Sequence, residues 1–98
     1  MIRELAQVDV KPGTEEAFEA AVAKAVPLFA RQRGYRSLQL LRVVERPQRY
    51  RLLVDWDSVE DHTVHFRGSP DFQEWRKLAG GFFATPPVVD HMHCVLSV

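Results

Sequence analysis

Leu53-Val54-Asp55-Trp56-Asp57-Ser58-Val59-Glu60-Asp61-His62-Thr63-Val64-His65-Phe66 decides the fold, because the apolar period changes from two to nearly four inside this one stretch. Tyr50, Leu52, Val54 and Trp56 point one way and Arg51, Leu53 and Asp55 the other, which is the signature of a strand. Ser58 then stands where a helix cap stands, with Asp61 at the third helical position, and Val59, His62 and Phe66 recur at helical spacing. A strand end and a helix start therefore share one place, and the helix carries two imidazoles, His62 and His65. Histidine has the side-chain pKa nearest neutrality, so burial or a new partner decides whether it serves as base or acid.

Upstream, Ile2 to Val10 alternates imperfectly, with Ala6, Val8 and Val10 on one face and Leu5, Gln7 and Asp9 on the other, until Lys11-Pro12-Gly13 ends the strand. Thr14, Glu15 and Glu16 suit a helix N-terminus, and Phe18, Val22, Val26 and Phe29 form its apolar stripe. Pro27 lacks an amide donor and crowds the carbonyl of Ala23, so a kink or break is expected there, before Gly34 stops the segment. Tyr35 to Glu45 and Arg49 to Trp56 read as two strands joined through Arg46-Pro47-Gln48 as an antiparallel hairpin.

Downstream, Ser69-Pro70-Asp71 restarts a helix with Phe72, Trp75 and Leu78 inward, and Gly80-Gly81 ends it. Val88 to Val98 contains no breaker and reads as a last strand. The order is β-α-β-β-α-α-β, an α+β ferredoxin-like layout with an antiparallel sheet.

Ninety-eight residues hold a single domain, 1–98, and too little chain to bury every apolar surface. Leu38 and Leu40 face one side of the sheet and Leu41 and Val43 the other, whereas helices in so small a domain cover one side only. The uncovered side is expected to close against a second copy, as a homodimer. Thirteen Lys and Arg balance thirteen Asp and Glu, and the arginines are scattered, which argues against a nucleic-acid partner. No apolar run reaches bilayer length, and Arg3 and Glu4 interrupt the first hydrophobic residues, unlike a signal peptide. The lone Cys94 reads as a small buried hydrophobe, so no membrane partner and a cytoplasmic setting are expected.

Val54-Asp55-Trp56-Asp57-Ser58-Val59-Glu60-Asp61-His62, His65-Phe66, Ser69-Pro70-Asp71-Phe72, Trp75, Gly34-Tyr35 and Pro87-Val88-Val89-Asp90-His91 together resemble the antibiotic biosynthesis monooxygenase domain. The resemblance spans nearly the whole chain and implies a ferredoxin-like fold that dimerises into an α+β barrel. It also implies a choice among cofactor-independent oxygenases of phenolic or quinol compounds, haem-degrading enzymes, signal-molecule isomerases and proteins without assigned activity. The haem branch calls for an asparagine on the first strand and a histidine after the Ser-Pro turn. Here those places hold Ala6 and Trp75-Arg76, so no cofactor is expected.

An oxygenase of this kind needs a base and an apolar, water-poor pocket for a small aromatic substrate and O2. The helical wheel favours His62 as the inward base, while the family's usual spacing of nine residues after the tryptophan selects His65, so both stand as catalytic candidates. Trp56, Phe66, Phe72, Trp75 and Phe83 are candidates for the substrate slot, with Phe82 beside them and Tyr50 or Tyr35 offering a hydroxyl. His91, Arg76 or Arg51 could stabilise negative charge. His91-Met92-His93 has ligand spacing, but no third ligand stands at a convincing distance, so no metal is expected. The competing reading is a non-catalytic or stress-related dimer that uses the same pocket to hold a small hydrophobic molecule.

Overall fold

The computed structural model describes all residues, Met1–Val98. Four strands, β1 (Ile2–Asp9), β2 (Tyr35–Arg42), β3 (Arg49–Trp56) and β4 (Val88–Met92), form one antiparallel sheet in the order β2-β3-β1-β4. Helices α1 (Glu15–Ala30) and α2 (Pro70–Ala79) cover one face, as the α+β, ferredoxin-like expectation requires. The core lies between these layers and is dominated by Phe18, Phe29, Tyr50, Trp56 and Phe66, all essentially without solvent contact.

Local choices follow residue chemistry. The Asp61 amide donates to Ser58 Oγ at 3.2 Å and the Phe72 amide to Ser69 Oγ at 3.2 Å, so both expected serine caps are formed. Thr14 occupies the N-cap position of α1, but its hydroxyl donates to the Lys11 carbonyl at 2.6 Å instead of receiving an amide. Gly34 adopts φ +79° and presses against the Asp61 carboxylate, where any Cβ would overlap it. Its carbonyl accepts from the Asp57 amide at 2.8 Å, which pins the end of β3 to the start of β2.

Several expectations are corrected. Helix α1 runs through Pro27 to Ala30 without a break, because the proline falls in the last turn and buried Ala25 and Phe29 hold the helix on either side of it. β2 stops at Arg42, not Glu45, and the connection is a longer turn closed by the Val43 amide donating to the Arg49 carbonyl at 2.9 Å. The last strand ends at Met92 instead of reaching Val98. Met92 pairs with Arg3, and β1 begins at Ile2, so the residues beyond find almost no backbone within the chain to pair with. Cys94 is consequently exposed rather than buried.

The segment after Ser58 is also wound differently from an ordinary α-helix. Asp61–Phe66 is a π-helical turn, and the Arg67 amide donates to the His62 carbonyl at 3.0 Å, five residues back. A π turn holds more residues per revolution than an α turn. Phe66 therefore stays near the direction of His62, while His65 falls further behind it.

Candidate active site

The strand register builds the site. Glu4 on β1 lies opposite Val54 on β3 and opposite His91 on β4, all on the helix-covered face. Trp56 sits one inward position along β3 from Val54, and its indole Nε1 donates to Glu4 Oε1 at 3.0 Å. The π turn lowers His62 onto this group, with its ring stacked over Trp56 at 5.7 Å between centroids and 19° between planes. His62 Nε2 stands 3.4 Å from Glu4 Oε1, and His62 Nδ1 shares a hydrogen with His91 Nε2 at 2.9 Å.

Glu4 and His62 are 4% and 3% exposed, so each is held away from the water that would stabilise its charged form. Burial raises the Glu4 carboxyl to about 7, against the opposing pull of the Trp56 N–H and the Arg67 charge. Burial lowers His62 to about 3, reinforced by the charges of Arg67 and His91. His91 is lowered for the same leading reason, with Arg67 adding to the shift and Asp90 opposing it. At neutral pH the two rings are neutral and Glu4 is poised near its midpoint.

This group borders a cavity of about 670 Å³ between sheet and helices. Glu4, Ala6, Val8, Leu52 and Val89 supply the sheet side, and Phe29, Phe66, Phe72, Trp75 and Phe83 the aromatic walls. Arg67 and Arg76 line it too, and neither guanidinium has a carboxylate partner in the protein. The arrangement can hold a planar apolar body, accept a proton at one end and stabilise an anion.

Of the residues singled out in the sequence, His62, Phe66, Phe72, Trp75, Phe83 and Arg76 line the cavity. Trp56 is entirely buried behind His62 and reaches the cavity only through Glu4 and the imidazole. His91 stands beyond His62 rather than on the cavity wall. His65 is exposed and apart from the cavity, for the winding reason above, so the structure separates it from His62. Arg51 lies on the opposite face, where its guanidinium donates to Gln7 at 3.4 Å. The Tyr50 hydroxyl donates to Glu19 at 2.5 Å, Tyr35 meets the edge of Trp56, and Phe82 packs on Phe18. His93 is exposed, and no group of three His, Cys, Asp or Glu side chains is placed to hold a metal ion. Glu4 and Arg67 were not singled out. Glu4 carries a readable signal, since by parity it shares the strand face of Ala6 and Val8, where a carboxylate is out of place.

The sequence profile of antibiotic biosynthesis monooxygenases matches residues 1–78. The chain belongs to that family. It is similar to a Bordetella bronchiseptica protein, described only as a candidate antibiotic biosynthesis monooxygenase, with 56% identity, a TM-score of 0.96 and 97% of each chain covered. It is also 40% identical to YczJ, an uncharacterized protein of Bacillus subtilis strain 168, over 97% of this chain and all of that one. SnoaB of Streptomyces nogalater, a cofactor-independent oxygenase, shares the fold at 18% identity and a TM-score of 0.85, covering 99% of this chain and 95% of its own. No helix is long and apolar enough to cross a membrane.

Proposed function

We propose that this member of the family is a cofactor-independent monooxygenase that oxidises a small phenolic or quinol compound with O2. The observation that carries the reading is the buried Glu4–His62 pair, with His91 bonded behind it, set at an aromatic-walled cavity. An electron-rich aromatic becomes a competent one-electron donor to O2 once it loses a proton, so a base in a dry pocket is what the chemistry requires. The proton passes to the group built around His62, and Arg67 and Arg76 stabilise the resulting anion. One oxygen atom enters the substrate as a carbonyl, and the other leaves as water with the two hydrogens of the oxidised carbon.

The working unit is a homodimer. Half-buried Leu5 and Leu53 and exposed Leu41, Val88 and Met92 lie on the sheet face that no helix covers, which supports its burial against a second copy.

Oxygen uptake measured with anthrone-like and quinol substrates tests the function. Substrate-dependent consumption is expected, falling by about 100-fold or more in His62→Ala. Quenching of tryptophan emission by these compounds with no oxygen consumed would instead mark a binding protein.

A further inference from the structure

Among the cavity-facing groups, the hydrogen-bond pattern separates the one that can accept a proton from those that merely look able to. His62 Nδ1 and His91 Nε2 are 2.9 Å apart, so one ring donates and the other accepts. If His91 donates, neutral His62 must carry its hydrogen on Nε2, which stands 3.4 Å from Glu4 Oε1, and His62 is left with no free lone pair. If His62 donates to His91, its Nε2 lone pair faces Glu4, and the contact is favourable only when the carboxyl is protonated. Only the first arrangement accommodates an ionised carboxylate, and the second contains no base at all. In the first, Oε1 receives the Trp56 indole N–H and faces the His62 ring, while Oε2 has no protein partner. Glu4 lines the cavity, and no fully buried polar side-chain atom lacks a partner, so the unpartnered Oε2 is the Glu4 oxygen left accessible for a proton.

We infer that the Glu4 carboxylate, rather than either imidazole, takes the substrate's proton, and that His62 and His91 are positioning residues that hold it in the accepting state. The inference rests on the proposed oxygenase reading for its reaction but not for its proton acceptor. The substrate's O–H or C–H bond breaks, an O–H bond forms at Glu4 Oε2, and the electron pair stays on the substrate. After O2 has added at the substrate carbon, the same proton returns to the peroxide oxygen to give a hydroperoxide. That carbon's remaining hydrogen then leaves as a proton, its C–H electron pair forms the C=O as the O–O bond breaks, and the departing oxygen carries both hydrogens away as water. Base and acid are thus one group used twice, and no further reductant is needed.

The charged and titratable groups facing Glu4 come from three elements. His62 approaches from the π turn, His91 from β4 and Arg67 from the end of the turn, while Trp56 on β3 donates without titrating. The carboxyl's elevation to about 7 suits a group that must both take and return a proton near neutrality.

Two measurements test the assignment, one of them independent of turnover. In ligand-free protein, the Trp56 indole N–H resonance followed from about pH 5 to about pH 9 should titrate once, near neutrality, reporting Glu4. The titration should vanish in Glu4→Gln and move, without vanishing, in His91→Asn. A Trp56 signal that does not titrate, or titrates unchanged in Glu4→Gln, overturns the inference. The second measurement uses 4-nitrophenol, whose anion absorbs visible light. Bound probe should be ionised in the wild-type protein, neutral in Glu4→Gln and ionised with a displaced pH midpoint in His62→Gln. Ionisation that survives Glu4→Gln and disappears in His62→Gln assigns the proton to the imidazole and also overturns it. Glu4→Gln should lower oxygen turnover by about 10²–10⁴-fold. Probe ionisation on Glu4 without oxygen consumption from any substrate leaves this inference standing and rejects the oxygenase instead.

Discussion

Glu4 and Asp9 both belong to β1, yet they face opposite sides of one sheet and behave as opposites. Glu4 lies under the helices with Trp56 and His62, and burial lifts its carboxyl to about 7. Asp9 lies on the uncovered face and receives Arg49 Nε at 2.8 Å, which holds its carboxyl below the usual range, as Arg3 does for Asp55. The covered face raises a carboxyl's proton affinity by denying it water and a full counter-charge. On the open face a guanidinium partner lowers the same group's proton affinity.

The largest expected effect tests whether the covered face is the true core. Trp56→Ala should lower unfolding stability by about 3–5 kcal/mol in urea titrations, because it empties the space beneath His62 and removes the donor to Glu4. Leu53→Ala, on the open face of the same strand, should cost clearly less in the monomer, and equal costs would erase the distinction. Gly34→Ala should cost about 1–3 kcal/mol from its positive φ alone, with the overlap on Asp61 added. Gly13→Ala shares the positive φ but meets open space, so the difference in urea midpoint between the two variants measures how tightly the π turn is seated.

The acid dependence of stability sharpens the comparison through its signs. His62 titrates near 6.5 when unfolded and about 3 when folded, so its burial costs stability progressively as pH falls from 6.5 toward 3. Glu4 runs the other way. Its folded value of about 7 exceeds the ordinary 4.5, so stability declines as pH rises from 4.5 toward 7. The two slopes oppose each other between about pH 4.5 and 6.5 in the wild-type protein. Glu4→Gln should uncover the His62 slope and His62→Gln the Glu4 slope, and urea midpoints at several pH values decide it. Asp9 and Asp55 contribute only at lower pH, since their stabilisation is lost as pH falls through their depressed folded values.

Leu53→Arg places an unpaired charge on the open face and should shift sedimentation from dimer to monomer while leaving the Glu4 titration in place. The smallest effect belongs to Asp55→Asn. Its partner Arg3 is half exposed, so the urea midpoint should move little and the remaining change should shrink in high salt.

Much of the scaffold was legible because it rests on short-range rules. Alternation in Tyr50 to Trp56, the Ser58 and Ser69 caps and the Pro70 start are decided by neighbours a few residues away, and the structure has each of them. The length of β4 was not legible, because Val88 to Val98 has strand-like composition throughout, whereas a strand needs a partner and β1 begins at Ile2. Helical spacing favoured His62 over His65 while the family's spacing pointed to His65, and the structure places only His62 on the cavity. The π turn Asp61–Phe66 stacks His62 on Trp56 and leaves His65 exposed. Glu4 could have been noticed by parity alone, but nothing local indicates that an indole and an imidazole meet its carboxylate.

The sequence by itself determined which residues are strand, helix and cap, which side of each strand is apolar, and the family to which the chain belongs. Those properties follow from period, propensity and turn chemistry acting over a few bonds. Only the tertiary structure decided that Glu4, Trp56, His62 and His91, drawn from both ends and the middle of the chain, share one dry corner. The physical reason is that a carboxylate's proton affinity depends on the water it loses and the partners it gains. Both are set by strand register and helix winding across distances that local sequence does not encode.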